Sequence, residues 1–315
     1  MLKKLKIDGL RADLAAVDTM LQDAARVGDV VGALQFEQRK AEIESDLGRI
    51  LDAQDNSASV GLFFSGRPVY GSKGVLADFA GKALDCFQDL ISKHFATMEV
   101  GQLGTRGPIP IRPETQLMVT DVARGSFGFV LEEAAANEQL VDTVLARAVD
   151  DVAELVTRLA SADPSAFEEA VEGLEQRVLG SAKNFFRTLD DAGAAIRIVE
   201  GDRDHSLTYA DVQRARHRTD EMQIQEHGDV ELRGRLVGLM PIHRRFEFHR
   251  DDTGEIISGT VSKDAGLAYV GGAQQSFDNP LNANWRALFR VREVTSRARK
   301  PKSFFTLLKL IELIR

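Results

Sequence analysis

Apolar residues near the start of the chain recur at the spacing of an amphipathic helix. The first stripe spans residues 8–27 and consists of Leu10, Leu14, Val17, Leu21 and Ala24. Gly28 ends this helix, and Asp29 is suited to cap a second one. The stripe of the second helix consists of Phe36, Ile43, Leu47 and Ile50. We therefore predict a helical hairpin arm over residues 1–55, which packs on its own domain, self-associates or binds a protein partner.

Residues 60–220 mix short strand-like runs with amphipathic helices, which predicts an α+β domain. An apolar run, a Ser-Gly turn and a second short run predict a β-hairpin over residues 60–71. An amphipathic helix follows and ends near residues 94–98. A second hairpin is predicted from the runs at 116–122 and 126–133. Two hairpins around one helix predict an antiparallel sheet with helices on one face.

The remainder of this region contains a loop and several helix signals. Residues 101–115 hold three glycines and three prolines, which predicts an exposed extended loop. Two long helices are expected between Asn137 and about Leu189, and the second begins at Asp163-Pro164. A short strand over 195–200 and a turn after it are predicted. The helix that follows starts with a capping box of Thr208 and Asp211.

The last hundred residues favour β-structure. Strand-like runs lie at 229–239, 243–250, 255–262 and 285–294, with turn residues between them. This pattern is typical of a small twisted β-barrel of OB or SH3-like type, here over residues 225–315. Residues 303–314 fit either a closing strand or a helix. The glycines inside the strands suit the bends of a closing barrel, and they are Gly234, Gly238 and Gly259.

Composition and charge limit the classes of protein to consider. The 315 residues are 43% hydrophobic, enough for an ordinary core. No apolar stretch is long enough to cross a membrane, and the start has no signal-peptide pattern, so we expect a cytoplasmic protein without a membrane partner. The net charge of −8 divides unevenly. Residues 211–315 carry 18 basic and 14 acidic residues, a net charge of +4, and the remainder carries −12.

One segment resembles a phosphate-binding loop in its glycine content. Residues 66–74, GRPVYGSKG, lie between an apolar run and a predicted helix. A Walker A loop needs Gly-Lys-Ser/Thr, whereas this order is Gly-Ser-Lys, and the region predicts hairpins instead of parallel strands. An alternative interpretation is a phosphate site formed by Gly66, Gly71, Ser72 and Lys73.

Other chemistry-bearing residues form no recognised catalytic or metal pattern. The lone Cys86 lies on an amphipathic helix, where it fits a small buried side chain better than a nucleophile. His205 and His217 lie near several aspartates, but no HxxxH or HExxH spacing supports a metal. Arg244 and His249 have a ribonuclease-like spacing, yet strand alternation disfavours the helix that such a site needs. We predict no cofactor, no metal and no catalytic residue.

The C-terminal strands present a basic face. Alternation places Arg286, Arg290 and Arg292 together, and it groups Arg233 with Arg235. A predicted loop adds Arg297, Arg299 and Lys300. Arginines on a small barrel can bind single-stranded nucleic acid, although few aromatic rings accompany them.

These patterns favour a non-enzymatic interaction protein, an adaptor or subunit of a bacterial multi-protein system. Its expected contact surfaces are the helical arm and the loop around Arg106 and Arg112. The first alternative is nucleic-acid binding through the basic face of the barrel. The second is a cryptic nucleotide-dependent enzyme around Lys73, or a nuclease around His205 and His217.

Overall fold

A computed structural model describes residues 2–52, 56–100, 103, 106–123, 127–134, 142–172, 174–240, 244–262, 265, 280–296 and 299–314 of the protein. The predicted helical arm is confirmed. Helices α1 (Lys3–Val27) and α2 (Val30–Asp52) are antiparallel and joined at Gly28, which has the left-handed φ of 77°. The Asp29 carboxylate accepts a hydrogen bond from the Gly32 amide at 2.9 Å, as a capping residue does.

The central region contains one five-stranded antiparallel sheet. Its strands are β1 (Ser59–Gly66), β2 (Leu117–Ala123), β3 (Gly128–Glu133), β4 (Ala194–Glu200) and β5 (Arg203–Leu207), in the order β2-β3-β1-β4-β5. Five α-helices in the described residues accompany it, namely α3 (Ala77–Val100), α4 (Val144–Ala160), α5 (Pro164–Glu172), α6 (Gln176–Ala192) and α7 (Tyr209–Glu221). The main core lies between one face of the sheet and these helices, because alternate strand residues such as Leu62, Phe64 and Ile198 point towards them.

The predicted hairpin over residues 60–71 is wrong. Strand β1 pairs with β3 and β4, so its partners come from distant parts of the chain. Residues after Gly66 instead form a small turn closed by a bridge between Val69 and Val75. The long-range apolar pairing of β1 in the middle of the sheet buries more surface than a local hairpin could.

Four further details of this region can be compared with the sequence patterns. The second long helix is two helices, α5 and α6, and Gly173, a poor helix former, stands between them in the sequence. The predicted turn after residue 200 contains strand β5. The capping box of Thr208 and Asp211 is confirmed. The predicted start at Asn137 lies outside the described residues, and helix α4 is capped by Thr143.

The C-terminal region is a closed five-stranded barrel, as predicted. Its strands are β6 (Gln223–Met240), β7 (Arg245–Arg250), β8 (Ile256–Val261), β9 (Asn284–Ser296) and β10 (Arg299–Ile314). Strands β6, β7 and β8 form a meander, β8 runs parallel to β10, and β9 closes the barrel onto β6. This is the strand order of an OB-like barrel. Residues 303–314 are therefore strand.

Two of the three glycines singled out in the barrel lie where strands approach too closely for a side chain. A Cβ at Gly234 would lie 2.1 Å from the carbonyl oxygen of His249, and one at Gly259 would lie 2.0 Å from that of Phe305. Gly238 is less constrained, with its nearest neighbour at 3.4 Å. The barrel thus depends on glycine at two points of its wall.

The barrel and the central domain share part of one core. Ile224 of β6 and Phe304 of β10 belong to the same buried cluster as the helices of the central domain. The buried Arg292 of β9 donates a hydrogen bond to the carbonyl oxygen of Leu174 at 2.9 Å. These contacts hold one end of the barrel, hereafter its stem, against the helices of the central domain. The stem consists of the parts of β6, β9 and β10 that carry Ile224, Arg292 and Phe304.

Candidate interaction surface

The base of the arm is anchored on the face of the sheet opposite the helices. Leu2 is buried in a small cluster with Phe63, Val130 and Val199, and Leu5 packs against it. A Cβ on Gly61 would lie 2.5 Å from a methyl group of Leu2. The absence of a side chain at Gly61 therefore allows the start of α1 to lie directly on the sheet.

Polar contacts surround this apolar anchor. The Lys4 ammonium donates a hydrogen bond to the carbonyl oxygen of Asp202 at 3.3 Å. The Arg197 guanidinium lies over the Phe63 ring, 5.5 Å from its centroid, and pairs with both carboxylate oxygens of Asp204. Hydrogen bonding to Arg197 holds the pKa of Asp204 below its usual range. The arm is thus tied to strands β1 and β4 at its base.

The interior of the arm is only partly covered. Within the two helices, the buried residues are Ile7, Val17, Ala24 and Ile43. Six other apolar residues on the inner stripes remain half-buried, namely Leu10, Leu14, Leu21, Phe36, Leu47 and Ile50. Each helix covers only part of the apolar stripe of the other, because two helices cannot enclose a core. The apolar core between α1 and α2 is therefore incomplete.

The free end of the arm, hereafter the tip, carries an exposed apolar patch. Its residues and exposed fractions are Val27 74%, Val30 71%, Val31 67%, Leu34 62% and Met20 49%. Single exposed apolar residues are ordinary on protein surfaces, whereas a contiguous group at the end of a projecting element is typical of a contact site. The stripe pattern predicted the hairpin but missed this patch, although Val30, Val31 and Leu34 stand out in the sequence as apolar residues outside the stripe of α2.

The other predicted contact surface, the loop around Arg106 and Arg112, is attached to α3. Both arginines are exposed. Arg112 begins a short 3₁₀ helix, which follows Ile111 in the left-handed region at φ 51°. Gln88 of α3 donates to the Thr115 carbonyl oxygen at 2.7 Å and accepts from the Leu117 amide at 3.0 Å. The loop is thus held at its C-terminal end by a side chain of the main domain.

The residues of the alternative phosphate site lie in a turn. The Tyr70 amide donates to the Gly74 carbonyl oxygen, and the Lys73 amide donates to that of Tyr70. Helix α3 begins only at Ala77, and β1 is antiparallel to both of its neighbours. Gly66, Gly71, Ser72 and Lys73 therefore do not surround a helix N-terminus after a parallel strand, which is the geometry of a P-loop.

The predicted basic face of the barrel is divided by ion pairs. Arg286 pairs with Glu231 and Glu312, and Arg290 pairs with Asp229 at 3.0 Å. Arg292 is buried against the central domain. Three further residues complete the predicted basic face. Arg297 lies outside the described residues, and the side chains of Arg299 and Lys300 are not described.

Two arginines of this face remain available. Arg233 and Arg235 on β6 are exposed, and neither forms an ion pair or hydrogen bond through its side chain with any residue that the structure describes. His249 of β7 lies directly opposite Arg235 in the ladder. The largest aromatic side chains of the barrel fill its interior instead of accompanying these arginines, namely Trp285, Phe246, Phe248 and Phe289.

The histidine and aspartate residues do not form a metal site in the described part of the chain. His205 lies on β5, where burial, assisted by Arg203, lowers its pKa. His217 lies on α7, where it borders a wide polar cleft together with Asp220. His205 does not line this cleft. The structure therefore does not bring the two histidines together at that cleft.

One buried carboxyl, Glu200 at the end of β4, was missed by the sequence patterns. Its side chain is 7% exposed and borders a cavity of about 230 Å³ together with Asp150 and Lys3. Burial, and then the neighbouring Asp150 carboxyl, raise the pKa of Glu200 to about 8. Arg203 lies 3.1 Å away and opposes this effect.

Similarity to known proteins assigns this chain to no family. No helix in the described ranges combines the length and the hydropathy needed to cross a bilayer. Searches against protein-family models, curated proteins and solved structures found no match to this chain.

Proposed function

We propose that this chain is a non-enzymatic interaction protein, an adaptor or subunit, that uses the helical arm as its contact surface. The observation that carries the proposal is the exposed apolar tip of an arm whose other end is anchored on the sheet. An anchored base and a projecting apolar end are what a docking element needs, since the base fixes its direction and the tip supplies contact area.

The size of the tip limits what it can do alone. Full burial of a Val or Leu side chain contributes about 1.5–3 kcal/mol. The four most exposed tip residues are 62–74% exposed, so covering them would contribute about 4–8 kcal/mol, which is comparable to the cost of association itself. A stable complex thus also needs the half-buried stripes along the arm.

The test is a tip variant with a matched control. Val30→Ser, Val31→Ser and Leu34→Ser together remove the apolar tip and leave the base intact. Ile256→Ser on β8 removes an equally exposed apolar side chain from the barrel. We expect the tip variant, and not the control, to lose arm-dependent association in light scattering and in co-purification with tagged full-length protein. Equal association of both variants and the parent chain contradicts the proposal.

A second candidate function is binding of single-stranded nucleic acid, which the two available arginines of β6 favour. Arg233 and Arg235 are exposed on a barrel with OB-like strand order, a combination used for backbone contacts. Replacing both with Ala should reduce the slope of log affinity against log salt by about 1.4, because two phosphate contacts are lost. Arg286→Ala is the control, since Arg286 is already paired with carboxylates. No binding by the parent chain at low salt rejects this candidate.

A further inference from the structure

We propose that the arm binds the arm of a second copy of this chain side by side and in antiparallel orientation, forming a four-helix bundle. This inference rests on the proposed function, because it assumes that the arm is the contact surface. It goes further by naming the occupant of that surface and its orientation.

The incomplete core of the arm indicates helical partners. The two helices have 25 and 23 residues, yet six inner apolar residues remain half-buried along their length. An antiparallel pair is half of a four-helix bundle, and the second half must present stripes of the same length and spacing. A second copy supplies two such helices.

The area that a stable dimer requires favours packing along the arm. A helix of 25 residues is about 37 Å long. Standard interfaces bury about 800 Å² on each partner and involve roughly 20–30 residues a side, whereas the tip consists of five residues. Contact along the whole length of the arm reaches that area, and contact between two tips does not.

The distribution of charge favours the antiparallel orientation. The base of the arm, residues 1–7 and 47–52, carries four basic residues and one acidic residue, a net charge of +3. The tip region, residues 20–38, carries one basic and three acidic residues, a net charge of −2. In antiparallel arms, the negatively charged tip region of each copy lies beside the positively charged base of the other. Parallel arms would place like charges together.

An exposed apolar residue lies at the position that the opposite tip would reach. Leu51 near the end of α2 is about half exposed, and it lies at the base of the arm. In the antiparallel arrangement the tip valines of one copy cover Leu51 of the other. The same arrangement therefore accounts for both exposed apolar groups of the arm.

The test is a charge swap in the full-length protein, followed by sedimentation equilibrium. Lys6 and Glu37 are exposed residues of the base and the tip region, so replacing them leaves the helices intact, which circular dichroism checks. We expect the parent chain to form a dimer, and Lys6→Glu or Glu37→Lys alone to weaken it about tenfold, since each change acts twice by symmetry. The double variant should recover most of the loss.

Cysteine cross-linking distinguishes the orientations. In a Cys86→Ser background, Val27→Cys and Lys6→Cys chains should link to each other when mixed, and Val27→Cys alone should not link to itself. A Val27 self-link overturns the antiparallel orientation. A monomeric parent chain overturns the inference. The proposed function survives that result if a different protein co-purifies with the parent chain but not with the tip variant. A monomer with no tip-dependent partner overturns both.

Discussion

Replacement of Glu200 by Gln should change how the stability of the protein depends on pH. The Glu200 carboxyl is buried beside Asp150, and this burial raises its pKa from the ordinary value of 4.5 to about 8. Below pH 4.5 the carboxyl is protonated in both the folded and the unfolded chain. Between pH 4.5 and 8 the folded chain keeps a proton that the unfolded chain has lost, so the free energy of unfolding falls as pH rises.

The magnitude follows from proton linkage. One proton bound only in the folded state changes the free energy of unfolding by up to about 1.4 kcal/mol per pH unit. Over three pH units, from 5 to 8, the contribution of Glu200 therefore falls by up to about 4 kcal/mol. Above pH 8 no further loss is expected from this group. Gln at position 200 resembles the protonated carboxyl in size and cannot titrate, so the variant should lack this slope.

Urea denaturation at pH 5, 6, 7 and 8 measures the effect. The advantage of Glu200→Gln over the parent chain should grow with each pH step, while the dependence on denaturant stays constant. Glu114→Gln, which changes an exposed carboxylate of the 3₁₀ helix, is the control and should follow the parent chain. The free energy of unfolding is then compared as a function of pH. If it changes in parallel for Glu200→Gln and the parent chain from pH 5 to 8, the Glu200 carboxyl does not hold its proton in the folded state.

Three further predictions concern the elements that position the arm and the barrel. Gly259→Val should destabilise the barrel by about 2 kcal/mol or more in denaturant unfolding, because its Cβ meets a backbone carbonyl that cannot move aside. Gly9→Ala on α1, where nothing lies within 4 Å, should instead stabilise the protein by up to about 1 kcal/mol in the same assay. Phe63→Ala should cost about 3 kcal/mol and speed amide hydrogen exchange at the start of α1, since it removes the anchor of the arm.

Local sequence patterns predicted the elements whose partners are close in the chain. The arm follows from two helical stripes and a glycine, and the capping box follows from two side chains three residues apart. The failed hairpin over 60–71 shows the limit of this approach. A short apolar strand before a Ser-Gly pair looks the same whether it pairs locally or, like β1, with residues more than 60 positions away.

The candidate sites depended on register, which a single strand does not reveal. Arg286, Arg290 and Arg292 were predicted to share one face of β9. The first two pair with carboxylates from neighbouring strands, and Arg292 is buried. For Glu200 a signal was present. In AIRIVE it is in phase with Ile196 and Ile198, which face the main core, so alternation alone places a carboxyl on a buried face.

The location of exposed apolar surface supports the proposal that the arm, and not the barrel, is a contact surface. Of the 16 large apolar side chains that are exposed in the described part of the chain, six lie within the 51 described residues of the arm, 2–52. The barrel places its large aromatic residues in its own interior, and its stem joins the core of the central domain. Because the arm alone lacks a completed core, adding helices to it would bury apolar surface without disturbing any existing packing. This burial is the hydrophobic gain on which the proposed association through the arm rests.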